Sequence, residues 1–225
     1  MKTKDCVVIA LDGMGNGPAC DLIEVIGPHV YAAKIHDLID DQGPEVIDRL
    51  KAYGARRVWA DMKLHDIPAT VEKRAKMLAK RGAGIITVHA SGGVEMMSAA
   101  LQSGVQIYAV TVLTSLDESE VKRSYGCSPI EAVIRLADMA REAGVHGIVC
   151  SPQDIIPLRR AGITADLITP GVRSPSEKTH DQARVGTPRG ALASSAKRIV
   201  VGRPITEASD PVAALAALEA EIADL

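Results

Sequence analysis

Two carboxylates and one ammonium, Asp61, Lys63 and Asp66, fall within the ten-residue stretch Asp-Met-Lys-Leu-His-Asp-Ile-Pro-Ala-Thr at 61–70. Charges gathered at the end of an apolar run are costly to desolvate unless they pair or serve a reaction. An Asp-Lys-Asp set without a metal suits proton transfer, or stabilisation of a carbanion by a fixed ammonium. The plainer explanation is a structural ion pair followed by an exposed Asp at a helix start. Residues 55–60 are short and largely apolar, as in a buried strand, and Pro68 stands where a helix could begin. The stretch is therefore expected at a strand-to-helix junction. There Asp61 and Lys63 point to one side of the strand, and Asp66 lies past its end.

The elements that must position these groups recur along the whole chain. Strand-like runs are read at 7–12, 30–35, 57–62, 85–89, 107–113, 147–150, 167–169 and 199–201. Helical patterns between them are clearest at 45–51, 69–80, 94–101, 130–142 and 211–223. Eight strand–helix units without a break in composition predict a single (β/α)8 TIM barrel over residues 1–225, with a doubly wound sheet as the runner-up. In such a barrel the active site lies at the carboxyl ends of the strands. The residues there are Asp12, Lys34, Asp61 with Lys63, His89, Thr114 with Ser115, Arg173, and Gly202 with Arg203.

Composition narrows the partners. The formal net charge of -2 gives no electrostatic case for nucleic acid or an anionic membrane, and 2% aromatic residues with no Phe leave few platforms for stacking bases. Cys6, Cys20, Cys127 and Cys150 lack Cys-x-x-Cys or Cys/His spacing, which fits a reduced, cytoplasmic setting. The apolar run after Asp5 is too short for a signal peptide core, and no later run reaches membrane-spanning length. The six histidines are dispersed, and the carboxylates alternate with lysines that would compete with a divalent cation. Gly13, Gly15 and Gly17 lack the spacing and the companion acid of a dinucleotide fingerprint, and no nucleophile elbow is present.

Val200-Val201-Gly202-Arg203-Pro204 ends the last strand where barrels often bind phosphate. Gly202 permits close backbone approach and Arg203 can grip phosphate oxygens bidentately. The polar stretch 174–180 reads as a mobile loop, either a plain surface connection or a lid.

The motif D-x-K-x-x-D-I-P-x-T at 61–70 resembles the signature of the orotidine 5′-phosphate decarboxylase family. So do Asp12, Lys34, His89-Ala90-Ser91-Gly92-Gly93, Thr114-Ser115, Thr169-Pro170-Gly171-Val172-Arg173, 181–185 and Val201-Gly202-Arg203-Pro204-Ile205-Thr206, in the family's order. The resemblance covers nearly the whole chain. It implies conversion of orotidine 5′-monophosphate to UMP without metal or cofactor, with Lys63 protonating the ring carbon that loses carbon dioxide. Asp61 would then face the substrate carboxylate, and Lys34 would hold Asp61 and a ribose hydroxyl, with Asp12 also on the ribose. Asp66 and Thr70 would reach into a partner's site, making the protein a homodimer. Ile67, Thr70, Thr114, Ser115 and Arg173 would belong to the substrate-binding set, while Gln182, Gly202 and Arg203 would hold the phosphate and Arg173 would start the loop that closes over it. His36 stands where the resemblance implies a small or amide residue, so contacts near the ribose are expected to differ. His65 reads as solvent-facing or structural, and His89 as either a packed barrel residue or a general base.

The nearest enzyme alternative is a relative that shares the barrel and the D-x-K signature but uses magnesium and an open-chain sugar phosphate. From another class, a nucleotide-binding barrel that has lost its activity would keep phosphate binding alone. The intact Asp61, Lys63, Asp66 and Lys34 speak against the second.

Overall fold

The computed structural model describes residues 1–172 and 186–225. Among these, eight parallel strands close into a barrel in sequence order, each pairing with its neighbour and β8 with β1. The strands are β1 (Val7–Ala10), β2 (Ala32–Ile35), β3 (Val58–Leu64), β4 (Ile85–His89), β5 (Gln106–Val110), β6 (Gly147–Val149), β7 (Asp166–Thr169) and β8 (Arg198–Val201). The expected barrel is therefore present. Asp12 and Thr114 lie on the loops just beyond β1 and β5, whose regular pairing stops earlier than the apolar runs do.

Side-chain alternation divides every strand between two cores. Val7, Ile9, Ala33, Ile35, Val58, Ala60, Ile86 and Val88 face the helices and join one large apolar cluster. Val8, Ala32, Trp59, Ile85, Tyr108, Ile168 and Val200 face inward and form a second, smaller one with Tyr31. A barrel interior filled in this way is a packed layer and not a pore. The chain has one Trp and four Tyr, and three of these five aromatics, Trp59, Tyr31 and Tyr108, are committed to that inner layer. The Trp59 and Tyr108 rings meet edge to face with centroids 5.2 Å apart.

Groups at the amino ends of the strands close the bottom of the barrel. Tyr31 lies under two guanidiniums, with Arg198 4.0 Å and Arg57 4.6 Å from its ring centroid. Arg198 also pairs with Asp166 at 2.7 Å, and the Tyr31 and Tyr108 hydroxyls both donate to Gln106 Oε1. With the bottom plugged, the interior of the described residues opens towards the carboxyl ends of the strands.

The helix Pro68–Lys80 sets the exit of β3. Pro68 occupies its first turn, where no amide hydrogen is needed, and Val71, Ala75 and Leu78 make its buried stripe. That stripe, and the packing of this helix on Val94–Leu101, anchors the residues between Leu64 and Pro68.

Candidate active site

A cavity of about 700 Å³ opens at the carboxyl ends of the strands. Its wall continues the inward-facing series of each strand by two or four residues. Val8 leads to Ala10 and Asp12, Ala32 to Lys34, Trp59 to Asp61 and Lys63, and Val200 to Gly202. The alternation that packs the interior also carries the charged groups to the rim.

Those groups form one chain of alternating charge. Lys34 Nζ lies 2.6 Å from Asp12 Oδ2 and 3.1 Å from Asp61 Oδ2, and Lys63 Nζ lies 2.9 Å from the same Asp61 oxygen. Lys34 and Asp61 are buried, whereas the Lys63 side chain is 34% exposed and faces the cavity. Burial alone would raise the Asp61 carboxyl, but the Lys34 and Lys63 ammoniums and hydrogen bonds from Lys63 and Thr87 outweigh it, and it sits below its ordinary value. Burial likewise would lower Lys34, and Asp61 and Asp12 reverse the direction. Both groups are thus held charged.

Lys63 carries a second mark. Its φ is +45°, one of two non-glycine residues among those described with positive φ, and the β3–β4 register shifts between Ala60 and Leu64. The strand runs on to Leu64, beyond the expected end at 62, and Lys63 is not in regular extended backbone. A left-handed lysine costs roughly 1–2 kcal/mol and persists only where its surroundings hold it. Here the twist turns its ammonium onto Asp61 at the mouth of the cavity.

Several partners were not legible in the residue pattern. The Thr87 hydroxyl donates to Asp61 Oδ1 at 2.8 Å and accepts from Trp59 Nε1. His36 Nδ1 bonds the Asp61 backbone oxygen at 2.8 Å; a carbonyl only accepts, so this nitrogen carries the proton. Asp37 accepts the Gly13 amide at 2.8 Å, which pins the loop that carries Asp12. The inward position of Thr87, two residues before His89 on β4, was the available signal.

Of the residues read from the sequence, Asp12, Lys34, Asp61, Lys63, Thr114, Gly202 and Arg203 line the cavity together. Ser115 is exposed and does not. Asp66, Ile67 and Thr70 also stand outside this subunit's cavity: the Asp66 carboxylate accepts the Ile67 amide at 2.7 Å, and Ile67 is 66% exposed. Arg173 and Gln182, with the 174–180 stretch, lie outside the described residues. Val172 and Gly186, on either side, form a single parallel bridge. His65 is exposed, as expected, with its ring centroid 5.5 Å from that of half-buried His89. Among the described residues no group of three or more His, Cys, Asp or Glu is placed to hold a metal ion, and no helix is long and apolar enough to cross a membrane.

A family model described as orotidine 5′-phosphate decarboxylase / HUMPS matches residues 5–218. The chain belongs to this family. It is 43% identical over 221 residues to the orotidine 5′-phosphate decarboxylase of Thermobifida fusca, covering 96% of this chain and 95% of that one. It is also 43% identical over 226 residues to that of an Anaeromyxobacter species, covering 98% and 99%. The crystal structure of orotidine 5′-phosphate decarboxylase from Lactobacillus acidophilus superposes with a TM-score of 0.83 at 35% identity, covering 97% of this chain and 99% of that one. That from Pyrococcus horikoshii, at 24% identity and a TM-score of 0.82, shares the fold.

The charge chain at the barrel mouth sets the direction of pH effects on stability. Asp61 is depressed, so its contribution is present above the usual carboxylate value of 3.8 and is lost as pH falls through its lower folded value. Lys34 is raised, so its contribution is present below 10.5 and is lost as pH rises through its higher folded value. His89 is lowered by burial, then by His65 and Lys63. A base with a lowered folded value favours the unfolded state as it protonates, so stability falls as pH drops below 6.5. Urea titrations of native protein and His89→Gln should therefore diverge as pH falls below 6.5, the native protein losing more. Parallel curves would remove His89 as the cause.

Proposed function

We propose that the protein decarboxylates orotidine 5′-monophosphate to UMP, without metal or cofactor, in pyrimidine nucleotide synthesis. The observation that carries this reading is the Asp12–Lys34–Asp61–Lys63 chain, with its one partly exposed ammonium aimed into the cavity. Breaking the bond between C6 of the pyrimidine and its carboxylate leaves the electron pair on C6 and releases carbon dioxide. Lys63 stands as the nearest positive charge to that pair, stabilises it and donates an Nζ proton to C6. The resulting amine recovers a proton from solvent, so one proton is consumed for each carbon dioxide released.

The remaining groups prepare this step. Asp61 holds Lys63 and faces the substrate carboxylate, while Lys34 and Asp12 take the ribose hydroxyls. Thr114 serves the pyrimidine, and Gly202 and Arg203 the phosphate, with Gln182 from the chain before α-helix Pro188–Ala193 and Arg173 at the start of the loop that closes over it. The phosphate is remote from the breaking bond, so its binding energy can be spent on excluding water around the ring. Magnesium chemistry on an open-chain sugar phosphate is the second reading, because the matching family description also covers HUMPS proteins. It would require Asp12 or Asp61 to exchange an ammonium for a cation.

The test is ultraviolet absorbance of orotidine 5′-monophosphate with the purified protein in excess EDTA. Undiminished conversion to UMP supports the proposal. No conversion, with magnesium-dependent turnover of a sugar phosphate, replaces it with the second reading.

Exposed Asp66 and Ile67 and half-buried Thr70, all beside the β3 exit and outside their own cavity, support a homodimer in which each subunit completes its partner's site. Mixed dimers of Lys63→Ala and Asp66→Asn would then hold one native site in each hybrid. Mixing two nearly inactive variants should restore up to about a quarter of native activity, since random exchange makes half the dimers hybrid. Absence of any recovery after verified subunit exchange would refute the shared site.

A further inference from the structure

Thr87 lies at the centre of β4, with Cα partner Tyr108 on β5, and is fully buried. Its hydroxyl has one proton and meets two neighbours, Trp59 Nε1 and Asp61 Oδ1. The directions of these bonds are fixed by chemistry. An indole N–H can only donate and an ionised carboxylate can only accept, so Thr87 accepts from Trp59 and gives its proton to Asp61.

Asp61 therefore has its two oxygens assigned to different tasks. Oδ1 is tied to the barrel interior through Thr87, and Oδ2 receives both ammoniums. A carboxylate is free to swing about its terminal torsion unless such a bond stops it. Trp59 is itself immobile, being fully buried and edge-on to Tyr108. We propose that Thr87, oriented by Trp59, is a positioning residue that locks the Asp61 carboxylate so that Oδ2 aims Lys63 at the reacting carbon.

This inference deepens the decarboxylase reading and rests on it. Thr87 does not itself line the cavity; it meets the wall from behind, at Asp61 and Trp59, so it acts through the residues it holds and not on the substrate. Its loss should lower the chemical step and leave the ribose and phosphate contacts of the substrate in place. Small misplacements of a catalytic group are expensive in rate, whereas uniform binding is insensitive to them.

The experiment compares native protein, Thr87→Val and Thr87→Ser. Valine keeps the shape and removes the hydroxyl; serine keeps the hydroxyl. Trp59 is the only tryptophan, so the ultraviolet resonance Raman band sensitive to indole N–H hydrogen bonding reports this one bond. Thr87→Val should lower kcat by about 10–100-fold with KM within about threefold, and should shift the indole band to its unbonded position. Thr87→Ser should return both towards native. UMP affinity within about threefold of native checks that the valine variant is folded around its site. A valine variant with native kcat, or one that loses kcat while the indole band stays put, overturns the proposal. If the native protein itself turns over no orotidine 5′-monophosphate, the functional reading has failed separately. The bond is then judged on the indole band alone, and an unshifted band in Thr87→Val overturns it.

Discussion

Lys63→Ala is expected to lower kcat for orotidine 5′-monophosphate by at least about 10⁴-fold, because one truncation removes both the proton donor and the nearest charge to the carbanion. UMP affinity should change far less, since the proposed ribose and phosphate contacts come from Asp12, Lys34, Gly202 and Arg203 and not from Lys63. Lys63→Arg should not rescue the step, because a guanidinium keeps the charge but does not release its proton readily. Single-turnover absorbance and calorimetric UMP binding separate the two effects. Retention of more than roughly a hundredth of native kcat in the alanine variant would move the proton donor elsewhere.

The backbone at Lys63 supplies an independent check. At φ +45° an alanine is as strained as the lysine, whereas glycine is not. Lys63→Gly should therefore be more stable than Lys63→Ala by roughly 1 kcal/mol, although neither turns over. Everywhere else in a strand the same comparison has the opposite sign. A glycine variant less stable than the alanine one would mean that the twist at Lys63 stores no strain.

Much of this site was legible before any coordinates because one rule, the alternation of side chains along strands, governs both the inner core and the rim. Val8–Ala10–Asp12 and Trp59–Asp61 obey it in the sequence and in the barrel. What the rule misses is whatever departs from a regular strand or crosses between strands. The left-handed turn at Lys63 coincides with the β3–β4 register shift, and no feature of Met62-Lys63-Leu64 announces it. Thr87 reads locally as one more β-branched strand residue, and its task depends on Trp59 and Asp61 being its neighbours on β3. The bottom plug of Tyr31, Arg57 and Arg198 draws on three strand starts far apart in the chain. His36 was visible as unusual, but its bond to the Asp61 carbonyl was not. Ser115, which the family resemblance implies at the pyrimidine, is exposed and does not line the cavity.

Asp61→Asn should be the second severe lesion, and it separates two accounts of the same residue. An amide at this position cannot neutralise Lys34 and Lys63, which share Asp61 Oδ2 at 3.1 and 2.9 Å. Asp12 remains for Lys34, and Lys63 can reach solvent, so the stability loss should fall at the lower end of the roughly 3–5 kcal/mol for breaking a buried pair. Turnover should fall by at least about 10³-fold, because Lys63 is no longer aimed. If Asp61 acts mainly by aiming Lys63, the ratio of orotidine 5′-monophosphate to UMP affinity stays within about threefold of native. If it acts mainly by repelling the substrate carboxylate, the amide relieves that repulsion, and the substrate gains tenfold or more over UMP, which lacks the carboxylate. The geometry favours the first outcome. Both Asp61 oxygens are already engaged, Oδ1 by Thr87 and Oδ2 by two ammoniums, so little of its charge is left unpaired to face an incoming carboxylate.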